Sequence, residues 1–379
     1  MRIGIIRGRY NPYGGAEVFV GRFIKGLISK GHEVVVFSAD WPESEGVTLH
    51  KITAGGPSFL RPLVFALKVK KAVERVKPDV VFSFERTFSQ DIYRAGDGCH
   101  REWLARRAAT VGPVKRFLIA LNPKHRVLLY LEKRLFTDPR LKKVVANSAR
   151  GKEEITRLYG LRPEDICVIY NGIDVAEFKG QNKAARKRRL RAELNIAPKA
   201  AVLLFVGSGF RRKGLLYLIK ALAFLPEDTR LVVIGKGERR PYEKEARMLG
   251  LAERVTFMGP VKGAIGNYPV ADVFVLPSIY EPFSNACLEA MASGLVVVTS
   301  RVGGVSEVIE DGISGGVVED PRDAKALAAC IRPFLDKKKA EAAGALAKKE
   351  ALTHSINDNV DEFLRLVEEI LRYKNKTSS

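Results

Sequence analysis

Short uninterrupted apolar runs alternate along this chain with longer stretches in which apolar positions recur every three or four residues. Parallel strands buried on both faces give the first pattern and amphipathic helices the second. Runs at residues 2–7, 33–37, 79–83, 144–146 and 166–169 predict strands, and the stretches 16–30, 65–76 and 152–159 predict helices between them. The pattern then repeats, with strands at 200–206, 230–234, 255–259, 272–276 and 294–299, and helices at 215–225, 321–335, 337–352 and 356–373. Glycine and proline mark the changes, as at Gly14-Gly15, Gly31-His32 and Lys77-Pro78. Such alternation indicates α/β domains with parallel sheets of the Rossmann type. At 379 residues the chain is long enough for two of them, each with its own core.

One segment stands out. After the run 272–276 comes Pro277-Ser-Ile-Tyr-Glu281-Pro-Phe-Ser-Asn-Ala-Cys-Leu-Glu289-Ala-Met-Ala-Ser-Gly294. Proline and serine end the strand, Pro282 breaks the chain again, and Ser284 or Asn285 then caps a helix running to about Ser293. Glu281 falls in the loop and Glu289 about one turn inside the helix. The unpaired N–H groups of a helix start, with its partial positive charge, suit a phosphate. A carboxylate accepts hydrogen bonds from two neighbouring sugar hydroxyls. Two carboxylates flanking an anion site therefore match a ligand with a hydroxylated ring on each side of a diphosphate, the layout of a nucleotide-sugar. Spacing alone leaves a plainer alternative open: Glu289 merely favours the helix start and Glu281 is solvated.

The formal net charge of +21 implies an anionic partner, whether nucleic acid, an anionic membrane or a phosphorylated substrate, unless it reflects only a lysine- and arginine-rich proteome. Cationic side chains concentrate in 100–143, where Arg106, Arg107, Lys115, Arg116, Lys124 and Arg126 interleave with Trp103, Phe117, Leu118, Leu121 and Tyr130. That mixture suits an amphipathic surface on anionic lipid; the alternative is a helix pair packed on the sheet with a solvated basic face. The very basic run 183–191 is expected to form a solvated helix. The four cysteines show no C-x-x-C pairing, which fits a reducing cytoplasm. Residues 1–7 read as a short strand and not a signal peptide. No run approaches the roughly 20 apolar residues of a membrane span.

Three loops after predicted strands add candidates, since open α/β sheets carry their site groups there. Gly14-Gly15 lets backbone come close to a ligand, although a plain tight turn would look the same. Asp97, between two glycines in the loop 84–99, can orient a hydroxyl or help take its proton, or can simply belong to a turn. Gly207-Ser-Gly-Phe-Arg211-Arg212-Lys213-Gly214 brings cations to a helix start, where they can meet a diphosphate with charge-assisted bonds.

Glu281 and Glu289 in their full context resemble the E-x7-E signature of the retaining GT4 glycosyltransferases. Further motifs follow the same order along nearly the whole chain. Tyr170-Asn171-Gly172-Ile173-Asp174 resembles the family's P-N-G-[IV]-D junction, with Tyr for Pro, and 294–307 its G-x-P-V-V…G-G-x-x-E, with Leu295 for Pro. Arg9-Tyr-Asn-Pro-Tyr-Gly-Gly15, Tyr93-Arg-Ala-Gly-Asp97-Gly-Cys99 and the compact 207–214 loop are similar to the lipopolysaccharide-core glucosyltransferase subgroup. Phe19 stands near a position where some members of that subgroup carry an acidic residue.

The resemblance implies a GT-B fold: two Rossmann-like domains facing across a cleft, an acceptor domain over 1–170 and a nucleotide-sugar domain over 171–355, with the helix 356–373 returning to the first. It assigns Glu289 to the ribose hydroxyls and Glu281 to the donor hexose. It assigns Arg212 and Lys213 to the diphosphate, with Gly14, Gly15, Phe283, Ser284 and Asn285 also donor-binding and Asp97 positioning the acceptor. Arg211 is an extra cation without an assigned role. The chain contains no D-x-D, so no metal and no cofactor are expected, the cations neutralising the diphosphate instead. The implied reaction is retaining transfer of glucose from UDP-glucose to a lipid-linked acceptor, such as heptose of the lipopolysaccharide inner core. The enzyme would be peripheral on the cytoplasmic face of the inner membrane, touching anionic lipid through 100–143. The alternative is another nucleotide-sugar with a capsule, polyprenyl-linked or soluble acceptor. A nucleic-acid-binding protein is suggested by charge alone and by no motif.

Overall fold

The computed structural model describes residues 1–11, 14–178 and 183–377, so Pro12 and Tyr13 of the expected glycine turn lie outside the described residues. The chain divides into two compact units, Met1–Gly172 with Ile356–Ser379, and Ile173–Ser355.

The first unit holds strands β1 (Arg2–Ile6), β2 (Glu33–Ser38), β3 (Val47–Lys51), β4 (Val80–Ser83), β5 (Ile92–Arg94), β6 (Lys143–Ala146) and β7 (Ile166–Val168). They form one parallel sheet in the order β3-β2-β1-β4-β5-β6-β7. Its helices are α1 (Gly15–Ser29), α2 (Arg61–Val76), α3 (His100–Ala109), α4 (Pro113–Leu121), α5 (Pro123–Phe136) and α6 (Ala149–Tyr159). The central strands are apolar throughout because helices cover both faces of the sheet. Two strands lack that signature. β3 is an edge strand whose Thr48, His50 and Lys51 face solvent or its margin, so no apolar run marks it. β5 crosses the stretch 84–99, expected to be all loop; Ile92 and Tyr93 pair with Phe82 and Ser83, and the strand is too short to show a period.

The second unit begins with α7 (Lys183–Glu193) and continues through β8 (Val202–Val206), α8 (Leu215–Leu222), β9 (Arg230–Ile234), α9 (Arg240–Met248), β10 (Val255–Gly259) and β11 (Val273–Leu276). It ends with α10 (Asn285–Ala292), β12 (Val296–Ser300), β13 (Gly315–Val318), α11 (Ala324–Ile331) and α12 (Lys337–Ala351). The parallel sheet runs β10-β9-β8-β11-β12-β13. α7 differs from the solvated helix expected of its sequence. Arg191 is buried, pairs with Asp272 at 2.7 Å and donates to the carbonyls of Val270, Pro198 and Ala200. Lys187 reaches the same carboxylate at 2.6 Å. Asp272 is the reason: a carboxylate at the start of a central strand needs cationic partners.

The last helix, α13 (Ile356–Thr377), belongs to the first unit. Val360, Phe363, Val367 and Ile370 pack with Phe19, Phe23 and Leu27 of α1 in one core. Phe23 and Phe363 meet edge to face at 4.8 Å. Phe19 is therefore a core residue, under the buried Arg94 guanidinium at 4.4 Å.

Candidate functional site

In each sheet the strand order reverses direction once, between β1 and β4 in the first unit and between β8 and β11 in the second. The loops leaving such neighbouring strands diverge, and ligands bind at the carboxyl ends there. In the first unit Gly14 and Gly15 follow β1, whereas Asp97 lies past β5; in the second, Arg212, Lys213, Glu281, Phe283 and Ser284 fall on those loops, with Asn285 and Glu289 on the helix that follows.

In the second unit β8 leads into Gly207–Gly214 and β11 into Pro277–Ser284. The backbone joins the two loops, Ile279 N–H donating to Arg212 O at 2.9 Å. Gly214 has φ +78°, and a Cβ there would stand 1.8 Å from Pro277 O, so only glycine lets the loops meet. The contact brings cations onto Glu281. Arg212 Nη1 lies 2.9 Å from Glu281 Oε2, and Lys213 Nζ pairs with the same oxygen. Arg212 Nη1 also donates to Tyr280 O. Glu281 and Lys213 are both buried. Burial works to raise the Glu281 pKa, but Arg212 and Lys213 outweigh it and hold the carboxyl below its usual value. Gly304 N–H fixes the Glu281 backbone carbonyl at 3.0 Å.

α10 follows at once. Ser284, not Asn285, is its N-cap, accepting from Cys287 N–H. Phe283 is buried and Asn285 half-buried. Glu289 lies one turn in and is half-buried. Its Oε2 accepts from the Tyr268 hydroxyl at 3.0 Å. The loop 207–214 and the helix start thus bring Arg212, Lys213 and Glu281 together, with Glu289 farther along the same helix.

In the first unit Arg7 follows β1 directly, and β4 leads to Glu85. Arg7 is buried among three carboxylates: Glu17 at 2.7 Å, Glu85 at 3.5 Å and Asp97 at 3.9 Å. Burial opposes its charge, but these partners raise its pKa and keep it cationic. Gly8 N–H donates to Glu85 Oε1 at 3.0 Å. Gly14 is the N-cap of α1 and Gly15 its first residue. A Cβ on Gly14 would lie 1.9 Å from Glu17 Oε2, so glycine lets Glu17 fold back toward Arg7. Asp97 is exposed. Its loop is pinned by Arg86, which donates to Gly98 O at 2.7 Å and pairs with Glu132 at 2.8 Å.

Comparison with known proteins gives these halves a context. The model of "Glycosyltransferase Family 4" matches residues 13–177, and that of "Glycosyl transferases group 1" matches residues 186–351. A D-inositol 3-phosphate glycosyltransferase of Geodermatophilus obscurus is 32% identical over 370 residues, 88% of this chain and 80% of the relative. The chain belongs to the GT4-type glycosyltransferases. The lipopolysaccharide glucosyltransferase WaaG of Escherichia coli is 27% identical over 335 residues, 86% of this chain and 87% of its own. A crystal structure of WaaG superposes with a TM-score of 0.83 at 24% identity, over 96% of this chain and 99% of that one. Anabaena Alr3699/HepE in complex with UDP-glucose gives 0.75 at 22%, over 96% and 99%. The fold is GT-B, two Rossmann-like domains.

Several groups beside this glycosyltransferase's candidate residues carry no sequence signal. Arg7 and Glu85 are single residues at strand ends, and Glu17 reads only as an acidic first turn. Tyr268 lies in the short helical turn Ala264–Val270, where neither helix nor strand periodicity applies. Arg211 is exposed and carries no assigned role.

Proposed function

We propose that this enzyme transfers a hexose with retention from a nucleotide-sugar, UDP-glucose, to a hydroxyl of a lipid-linked saccharide such as inner-core heptose. It would do so without metal, at the cytoplasmic surface of a membrane. The observation that carries the donor half is the convergence of Arg212 and Lys213 on one carboxylate oxygen beside the start of α10. Two cations that hold a carboxylate oxygen can hold a phosphoryl oxygen in its place. The name of WaaG and the UDP-glucose complex of HepE support the choice of sugar and nucleotide.

The acceptor hydroxyl attacks the anomeric carbon from the face that the diphosphate leaves. The C–O bond to the β-phosphate breaks, its electron pair stays on the phosphate, and the hydroxyl proton passes to that phosphate oxygen. Arg212 and Lys213 stabilise the charge that develops there. Glu289 holds the ribose and Glu281 the hexose, while Asp97 orients the acceptor. A second reading, a soluble phosphorylated acceptor, draws on the relatives named for D-inositol 3-phosphate. The three carboxylates around Arg7 weigh against phosphate at that position, because they exceed the one guanidinium they surround.

Calorimetry in EDTA with UDP, GDP and ADP, on wild type and Glu289→Ala, tests the donor half. Tight UDP binding that is lost in the variant is expected. Preference for GDP or ADP would discard UDP-glucose, and undiminished UDP binding by the variant would discard the site.

A further inference from the structure

We propose that Tyr268 is the positioning residue that aims Glu289 at the ribose, so that discrimination for a ribonucleotide depends on a hydroxyl outside the E-x7-E segment. This rests on the donor-site reading above. The Tyr268 ring is wholly buried and packs on Phe274 of β11, centroids 5.8 Å apart. Its hydroxyl lies 3.0 Å from Glu289 Oε2 and 3.2 Å from Ala286 O. A phenol has one proton to give, and the charged oxygen is the stronger acceptor. Burial first, then the charge of Glu289, hold the phenol well above its ordinary pKa of 10, so it stays a donor at neutral pH.

The geometry around this pair is what a post for a ligand-facing carboxylate requires. Glu289 is half-buried, so it meets Tyr268 from within the unit while remaining open to the surface. A carboxylate at the end of a flexible side chain rotates freely unless one oxygen is held. Binding two adjacent hydroxyls requires its plane to be set in advance. The segment bearing Tyr268 is itself fixed: Ala271 N–H returns to Tyr268 O at 3.2 Å, and the buried Arg191 holds Val270 O at 3.0 Å. The basic helix α7 thus secures the turn that orients the ribose carboxylate.

The test compares Tyr268→Phe, which keeps the ring and its packing, with wild type and Glu289→Ala. Affinities for UDP, 2′,3′-dideoxy-UDP and inorganic pyrophosphate are measured by calorimetry. Wild type is expected to prefer UDP over the dideoxy compound by about tenfold or more, ~1.4 kcal/mol. In Tyr268→Phe that preference should fall to about threefold or less, with dideoxy-UDP and pyrophosphate bound as by wild type. An unchanged preference would overturn the proposal. So would an equal loss for all three ligands, the mark of a purely structural tyrosine. Full discrimination retained by Glu289→Ala would overturn the ribose assignment of Glu289 itself, and the proposal with it.

Discussion

At Glu281 a single carboxylate oxygen is shared by two cations, Arg212 and Lys213, in a buried setting. The three groups carry one net positive charge. Under the proposed donor assignment a diphosphate would take at least one cation from the carboxylate, so part of the attraction for phosphate would already be used within the protein. Hydrogen bonds to charged groups are worth roughly 1.5–3 kcal/mol each, enough for the competition to show in measured affinity. Glu281→Gln keeps the shape, removes the competing charge and frees both cations. It is expected to bind UDP about tenfold more tightly while turning over substrate more slowly, because in the proposed site the hexose would lose a charged partner. Calorimetry and initial rates on the same protein separate the two effects. Weaker UDP binding by the glutamine variant would show that Glu281 organises the cations and does not compete for them.

Among the elements, α5 secures the others around Asp97 through one residue. Glu132 is wholly buried and accepts from His100 N–H at 2.6 Å and Arg101 N–H at 3.0 Å, capping α3 from another helix. It also takes Arg86 and the Tyr159 hydroxyl. Burial works to raise its pKa, but Arg86 and these donors lower it below the ordinary 4.5. A depressed carboxylate contributes stability above its unfolded pKa and loses it as pH falls through the folded one. Glu132→Ala strands a buried guanidinium and two helix-start N–H groups, at a cost of about 3–5 kcal/mol. Thermal unfolding should show a large drop at pH 7 that narrows as the pH falls below about 4.5; a drop independent of pH would mean that packing, not charge, is lost. None of this network was legible in the sequence, where Glu132 is one acid in a basic helix and its partners stand 27 to 46 residues away. The main strands were legible because each is an apolar run, and the α10 segment because its residues are contiguous. β3, β5 and the buried face of α7 were hidden, since a polar edge, a very short strand and a distant Asp272 leave no local pattern. The candidate site divides in the same way: Arg212, Lys213 and Glu281 stand in local motifs, and the structure brings these three side chains together, whereas the contacts of Arg7 with Glu85 and of Tyr268 with Glu289 arise only from the fold.

For the whole molecule, the net charge of +21 takes on meaning through where apolar surface accompanies it. No helix among the described residues is long and apolar enough to cross a membrane. α4, however, has no buried residue, and Val114, Phe117, Leu118 and Leu121 are exposed by 72, 64, 60 and 52%. Lys115, Arg116, Lys124 and Arg126 lie exposed on and just after the same helix. A short helix that leaves bulky apolar side chains in water beside cations is suited to lie in the headgroup region of an anionic bilayer. Each basic residue at such a surface contributes about 1 kcal/mol, screened by salt. We therefore expect the protein to bind phosphatidylglycerol vesicles at low salt, and phosphatidylcholine vesicles far more weakly. The double variant Phe117→Ser, Leu118→Ser should lose about tenfold or more of that binding and keep its UDP affinity, because the residues proposed to hold the nucleotide lie in the other unit. Raising the salt should weaken wild type and variant alike, since the cations remain in both. Vesicle binding unaffected by the double variant would leave charge alone as the attraction and assign α4 no part in it.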